Sequence, residues 1–136
     1  MDLKHVNRLD QLIKVATCVP KVGSGRLAAS IWIKNELVSI GVNQKKTHPL
    51  QKKYGDNPHR QFLHAEIDAI VKGCRARRGD LSGCYMYVAR AKEDDNGAFV
   101  RGMAKSCAGC YDCAENFGIR GIYYTTYDGA EFVECR

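Results

Sequence analysis

The sequence lacks any apolar run that approaches the roughly 20 residues a membrane span requires. Its first residues, Met-Asp-Leu-Lys-His, do not resemble a signal peptide, and it has no internal repeat, low-complexity tract or visible domain boundary. What is present is an ordinary globular composition, with 45% hydrophobic and 26% charged residues in a chain of 136. We therefore expect residues 1–136 to form a single soluble domain with a real core, located in the cytoplasm.

Seven cysteines would be compatible with a disulfide framework, but their arrangement indicates another use. Their number is odd, no secretory signal precedes them, and Cys107, Cys110 and Cys113 fall within one short stretch. This arrangement favours a reducing compartment and metal binding. We expect the remaining four to be small buried hydrophobic residues: Cys18, Cys74, Cys84 and Cys135.

The formal net charge of +6 indicates an anionic partner. A phosphorylated small molecule and a nucleic acid both fit this charge, and charge alone does not separate them. A basic surface that serves only solubility is a third interpretation.

Hydrophobic periodicity and turn residues predict an α/β protein. The predicted helices are 3–18, 62–77 and 107–117, and the predicted strands are 27–34, 37–42, 83–91, 119–126 and 130–135. The polar stretch 43–61 is interpreted as a long loop, and Asp94-Asp95-Asn96-Gly97 as a turn that could extend the neighbouring strand into a ribbon. The expected architecture is a three-layer α/β/α sandwich around a mixed five-stranded sheet.

One histidine and one cysteine pair have the spacing of a zinc site. His64 stands two residues before Glu66, and Cys107 and Cys110 form a C-x-x-C further along. An imidazole and two thiolates would hold Zn²⁺ and leave a fourth position for water. Glu66 is too close to His64 in the chain to be a fourth ligand, so we predict that it moves protons.

Two alternatives to this interpretation stay open from the residues alone. A structural zinc site would need a fourth protein ligand, which His48, His59 or Cys113 could supply. The cysteine pair could also be Cys110 and Cys113 rather than Cys107 and Cys110.

The two boxes, H-A-E at 64–66 and C-A-G-C at 107–110, resemble the signature of the cytidine/deoxycytidylate deaminase superfamily. Three further stretches are similar to strands of that family: V-S-I-G-V-N at 38–43, Y-M-Y-V at 85–88 and G-I-R-G-I-Y-Y at 118–124. The resemblance covers roughly residues 25–126. In the family a Gly-Ile pair lies about eleven residues after the first cysteine ligand, which places Cys107 and Cys110 in the ligand set.

The resemblance implies hydrolytic deamination of a cytosine nucleotide, with dCMP converted to dUMP and ammonia. Zn²⁺ would be the cofactor, Glu66 the proton carrier, and the enzyme a homo-oligomer. We predict substrate contacts at Asn43, Arg26, Tyr124 and Ala65, the residue between His64 and Glu66.

Two positions depart from the family pattern. Ser106 stands where proline is usual, and we expect it to cap the following helix. Asp68 stands where deoxycytidylate deaminases often have asparagine. The competing functions are a deaminase of transfer RNA adenosine or single-stranded cytosine, and a non-catalytic zinc-stabilised binding module. The first is disfavoured because no basic, aromatic-laced extension is present to follow a strand.

Overall fold

The computed structural model describes residues 1–22, 25–55 and 62–136, and these residues form four helices and six strands. The helices are α1 (Leu3–Thr17), α2 (Pro49–Tyr54), α3 (Ala65–Arg77) and α4 (Ala108–Asn116). The strands are β1 (Arg26–Ile33), β2 (Glu36–Val42), β3 (Tyr85–Glu93), β4 (Phe99–Gly102), β5 (Gly121–Thr125) and β6 (Ala130–Glu134). None of these helices has the length and apolar character needed to cross a membrane.

The strands form one mixed sheet in the order β2-β1-β3-β5-β6, with β4 paired to β3. Only the β3–β5 pair is parallel among these pairings. The predicted five strands become six because β3 returns on itself as β4 after a turn that ends at Gly97, whose φ is +79°. Glycine adopts this left-handed conformation without steric cost, so the D-D-N-G turn does extend into a ribbon.

Helices cover both faces of the sheet and confirm the predicted three-layer α/β/α sandwich. Because side chains alternate along a strand, β3 sends Tyr87 and Ala89 towards α1, and Met86 and Val88 towards α3 and α4. The candidate site lies on the α3/α4 face.

The predicted loop 43–61 was wrong over Pro49–Tyr54, which form α2. The His48 ring accepts a hydrogen bond from Leu50 N, Pro49 opens the helix, and Gly55 ends it. Proline at the first helical position and glycine past the end are ordinary helix boundaries, but the segment is too short and polar to show apolar periodicity. Residues 56–61 of the predicted loop lie outside the described residues.

The start of α3 lies directly against the end of β2. A Cβ on Gly41 would come within 2.8 Å of Ala69 Cα, so only glycine permits this approach. The buried Asp68 carboxylate reinforces it by accepting from Val42 N at 3.0 Å, the Gln44 side-chain amide at 3.1 Å and Lys72 Nζ at 2.9 Å. Asp68 therefore holds helix to strand.

The cysteines outside the two boxes differ in burial. Cys84 is fully buried, as predicted, while Cys74 and Cys135 are half-buried. Cys18 is exposed, because it follows the last residue of α1 where the chain leaves the core, and the prediction that it is buried was wrong.

Candidate metal and catalytic site

The two boxes meet because each begins a helix on the same side of the sheet. His64 is the N-cap of α3 and Cys107 is the N-cap of α4, both with extended backbone dihedrals. The Cys107 sulfur accepts a hydrogen bond from Cys110 N at 3.4 Å, which closes the first turn of α4 and directs both sulfurs the same way. Cys107, rather than the predicted Ser106, therefore caps this helix.

The three candidate ligand atoms lie at distances that suit a zinc ion. His64 Nδ1 is 3.3 Å from Cys110 Sγ and 3.8 Å from Cys107 Sγ, and all three atoms lie within 4.8 Å of one another. Tetrahedral zinc with its usual bond lengths separates nitrogen and sulfur ligands by about 3.5 Å and two sulfurs by about 3.8 Å. The donor set therefore fits Zn²⁺, with Nδ1 as the imidazole donor.

Neither of the described alternatives for a fourth protein ligand joins this group. His48 caps α2 through its ring nitrogen, and Cys113 is fully buried in the core. His59 lies outside the described residues. Within the described chain, the metal-binding group consists of His64, Cys107 and Cys110.

The Cys107 and Cys110 sulfurs share a hydrogen bond that shifts their pKa values in opposite directions. Hydrogen bonds from the Cys110 thiol, and then from His64, lower the pKa of Cys107 to about 4. The same thiol–thiolate contact, followed by burial, raises the pKa of Cys110 well above its ordinary value. A cation at this point would favour the thiolate form of both.

Glu66 is almost completely buried beside these atoms, with 4% of its surface exposed. Burial raises the pKa of its carboxyl group, while a backbone hydrogen bond and the neighbouring His64 oppose that rise. The Ser106 hydroxyl lies near enough to lower the same pKa, although its oxygen forms no well-aligned hydrogen bond within the described chain. The raised pKa makes this carboxyl group a better proton acceptor than a solvated carboxylate.

A cavity of about 350 Å³ opens onto His64, Glu66 and Cys107. It is large enough for a small planar ring with a sugar attached. Its other walls are formed by Val22, Gly25, Leu27, Asn43, Phe62, Leu63, Ala65, Arg90, Met103, Ala104 and Lys105.

Two of the four predicted substrate contacts line this cavity. Ala65 is the first residue of α3, where backbone N–H groups have no partner within the helix. The Asn43 amide accepts from Leu27 N and donates to Gly25 O, both at 2.9 Å. A carboxamide has two acceptor sites and two donor hydrogens, so one of each stays available to a ligand.

The other two predicted contacts do not line the cavity. Arg26 pairs with Ala91 on the α1 face, where its guanidinium donates to Val19 O at 3.0 Å and pairs with Glu93 at 3.0 Å. Tyr124 lies on the α3/α4 face, but its hydroxyl donates to Glu131 at 2.9 Å. Their roles as substrate contacts stay predictions that this placement does not support.

Three residues near the site were missed by sequence reasoning. Arg90 lines the cavity in a space that Gly25 and Gly102 leave open, since a Cβ on Gly102 would lie 2.9 Å from Arg90 Cδ. Lys105 lines it from the segment before Cys107. Gln51, only 1% exposed, accepts a hydrogen bond from His64 N at 2.9 Å. Sequence offers a weak signal for Lys105 alone, its proximity to the C-x-x-C.

Solved structures share this fold at low sequence identity. The dCMP deaminase from the cyanophage S-TIM5 matches with a TM-score of 0.61 and 15% identity, covering 93% of this chain and 86% of that one. Guanine deaminase from Bacillus subtilis matches with a TM-score of 0.54 and 18% identity, over 93% of this chain and 65% of that one. A structure from a study of A-to-I editing by tRNA:A34 deaminases matches with a TM-score of 0.53 and 18% identity, covering 90% and 71%.

No curated protein matches the chain significantly by sequence. A family model does match, and it describes the cytidine and deoxycytidylate deaminase zinc-binding region over residues 4–126. The match includes both boxes and most of the sheet. With a His/Cys/Cys group placed for metal binding in that region, the chain belongs to the zinc-dependent cytidine and deoxycytidylate deaminase family.

Proposed function

We propose that this protein deaminates a cytosine nucleotide hydrolytically, with dCMP as the preferred substrate, dUMP as the product and ammonia as the leaving group. The observation that carries the proposal is the convergence of His64, Cys107, Cys110 and the buried Glu66 at one cavity of substrate size. The dCMP deaminase fold of the cyanophage structure agrees with it.

In this proposal His64, Cys107 and Cys110 hold Zn²⁺, which supplies Lewis-acid activation of water when bound. Glu66 accepts one proton from the attacking water and delivers it to the ring nitrogen next to the reacting carbon. It then passes the second proton to the departing amine, so a C–O bond replaces the C–N bond and ammonia leaves. A carboxyl group whose pKa is raised by burial suits this exchange, because it takes up and releases protons readily.

The cavity carries groups suited to each part of a nucleotide. The Ala65 N–H and the free positions of the Asn43 amide can bind the polar edge of the base or the sugar hydroxyls. Arg90 and Lys105 place two cations on the cavity wall, where a phosphate would be attracted. These cations favour a nucleotide over a nucleoside.

The test is ammonia release from a panel of cytosine, cytidine, CMP, dCMP, dCTP, adenosine and guanine, using zinc-loaded protein. We expect the highest kcat/KM with dCMP, and loss of turnover with retained zinc in Glu66→Ala. Zinc-loaded wild type that is inert towards the whole panel and towards oligonucleotides would support the binding-module alternative. Lys105→Gln should raise KM for dCMP more than for deoxycytidine.

A second candidate is a nucleic-acid deaminase of the same superfamily. It is favoured by the net charge of +6 and by the fold likeness to the tRNA:A34 deaminase structure. Activity on oligonucleotides with a steep salt dependence would support it, and activity on mononucleotides alone would exclude it.

We also propose a homo-oligomer in a reducing compartment such as the cytoplasm. Exposed apolar side chains on the two edge strands support association, namely Leu37 and Ile40 on β2 and Phe132 on β6. A reducing compartment would keep the ligand sulfurs available for zinc. Light scattering after size-exclusion chromatography would measure the oligomeric state, and a monomer at micromolar concentration would contradict the proposed homo-oligomer.

A further inference from the structure

A second concave surface lies on the α1 face, across the sheet from the deaminase cavity. It is a groove of about 420 Å³ between the first half of α1 and strands β1, β3 and β5. The helix does not cover this face completely, so Tyr85 and Tyr123 are half-buried and the neighbouring Phe132 is 43% exposed. We call this surface the α1 groove.

Arg8 forms the floor of the α1 groove and is a buried cation. It is only 9% exposed, and its guanidinium carbon lies 3.9 Å from the centre of the Trp32 ring. It donates to the Tyr87 hydroxyl at 3.0 Å and to Lys34 O at 2.9 Å. No carboxylate among the described residues is within salt-bridge distance of it.

A buried cation without a counter-ion is costly, and an anion placed beside it would offset that cost. Guanidinium has five N–H donors, and the two bonds within the protein leave others for a ligand. The charge of Arg8 is therefore unbalanced by the protein on the side that faces the groove.

Further cations surround the same opening. Lys4, Lys34 and Arg120 line the groove and are exposed, and no aspartate or glutamate is among its described lining residues. The carboxylate that acts on His5 in this region is Asp2, which caps α1 by accepting from Lys4 N at 3.1 Å. The groove is therefore electropositive in a way that attracts a phosphate.

Aromatic rings form the other wall. The His5 ring stacks on Tyr123 with a centroid separation of 4.0 Å, and Tyr85 and Phe132 lie tilted beside Tyr123. Arg120 lies 5.7 Å over the Tyr85 ring. Cations interleaved with aromatic faces are the arrangement that holds a phosphate and stacks a base.

We propose that the α1 groove is a second ligand site that binds a nucleotide, separate from the deaminase cavity. The phosphate pairs with Arg8 and the surrounding lysines, and the base stacks on the half-buried tyrosine rings, Tyr85 and Tyr123. The nucleotide can be free or one unit of a single strand, since both present the same phosphate and ring.

Trp32, the only tryptophan in the chain, reports directly on this groove. Zinc-loaded Glu66→Gln protein is titrated with AMP, adenosine, inorganic phosphate and an eight-residue oligothymidylate while Trp32 fluorescence is recorded. We expect AMP and the oligonucleotide to change the signal saturably and to bind about tenfold tighter than adenosine or phosphate. Tighter binding of AMP identifies a free nucleotide, and tighter binding of the oligonucleotide identifies a single strand.

The variant Lys4→Gln/Arg120→Gln removes two exposed charges of the groove and should weaken AMP binding about tenfold. Lys14→Gln/Arg136→Gln removes the same charge elsewhere and should leave binding unchanged. If both double variants weaken AMP binding equally, the effect comes from overall charge rather than from the groove, and the proposal is overturned. Phosphate binding as tightly as AMP, or a Trp32 signal that no nucleotide changes, would overturn it as well. Arg8→Gln, checked for folding by circular dichroism, should abolish the signal change.

Discussion

Glu66 and Asp68, two buried carboxylates in the first turn of α3, have different environments. Glu66 and Asp68 are each 4% exposed, yet Asp68 accepts hydrogen bonds from Val42 at the end of β2, from Gln44 just beyond it and from Lys72 on its own helix, whereas Glu66 faces the cavity. Burial raises the pKa of Glu66, as the proton transfer proposed for it requires. Two carboxylates on one helix therefore differ in role because their side chains contact different parts of the protein.

We expect Glu66→Gln to lower kcat by about 10²- to 10⁴-fold, because the amide cannot carry a proton, with zinc content and stability retained. Asp68→Asn should instead lower the free energy of unfolding by about 1.5–3 kcal/mol, because the buried acceptor loses its charge and Lys72 loses its ion-pair partner, with turnover retained. Ammonia release, zinc content and urea unfolding measure the two effects. Equal loss of stability in both variants would contradict this division.

The lowered pKa of His5 should make the free energy of unfolding fall as the pH falls. Burial, followed by the charge of Lys4, lowers its pKa, so the unfolded chain binds this proton more readily than the folded one. The stability contributed by neutral His5 is fully present above the unfolded pKa of about 6.5 and is lost as the pH falls from there through the lower pKa of the folded state. Urea unfolding from pH 8 to pH 5 should show a shallower pH dependence in His5→Gln than in wild type, and identical slopes would contradict it.

At the scale of elements, the short helix α2 positions both metal half-sites. Gln51 accepts from His64 N, and the carbonyl oxygen of Tyr54 lies where a Cβ on Gly109 would be. The Tyr54 hydroxyl also accepts from the Asn116 side chain at 2.9 Å, so α2 contacts both the first turn and the last residue of α4. Six residues in a polar segment thus bridge the helix starts that carry the ligands.

Gln51→Leu should weaken zinc binding about tenfold or more, because His64 N loses its acceptor and the ligand loses its orientation. Competition with a chromogenic chelator measures the affinity. Lys52→Ala, an exposed change on the same helix, is the control and should leave the affinity unchanged. A Gln51→Leu protein that folds and binds zinc like wild type would show that α2 does not position His64.

Gly109→Ala should lower the free energy of unfolding by about 1–3 kcal/mol and also weaken zinc binding, because the new methyl group displaces α2 from α4. Thermal unfolding with and without a chelator separates the two effects. Gly129→Ala adds the same methyl group where nothing lies within 4 Å, so it serves as the matched control. A Gly109→Ala protein as stable as that control would disprove the close packing.

At the scale of the whole molecule, the sheet separates two basic surfaces. One is the deaminase cavity with Arg90 and Lys105, and the other is the α1 groove around Arg8. With a net charge of +6, the protein should attract anions to either face before any specific contact is made.

Added salt should therefore raise KM for a nucleotide substrate more than KM for the corresponding nucleoside. Between about 50 mM and 500 mM salt, KM for dCMP is expected to rise severalfold while KM for deoxycytidine changes little, because screening weakens attraction to the phosphate. Steady-state kinetics at constant pH provides the comparison. A parallel change for both substrates would show that charge does not select the phosphate.

The kind of metal site and the layers of the fold could be predicted from local sequence patterns. His64, Glu66 and a C-x-x-C pair could be predicted from local spacing, but the choice of Cys107 and Cys110 over Cys110 and Cys113 depended on the family resemblance, and the structure groups the first pair with His64. Alternating and helical periodicities likewise identified most elements. These features depend on residues within a few positions of one another.

Which residues face the site depends on how strands and helices pack together, and local patterns did not predict it. Arg26 and Leu27 are neighbours in the chain, but strand register sends the arginine to the α1 face and the leucine to the cavity. Gln51 and Arg90 reach the site through contacts with distant segments, and α2 has too few apolar residues to be detected. The α1 groove assembles Arg8, Trp32 and Tyr123 from three elements, and their proximity depends on sheet order and helix packing, which no local pattern encodes.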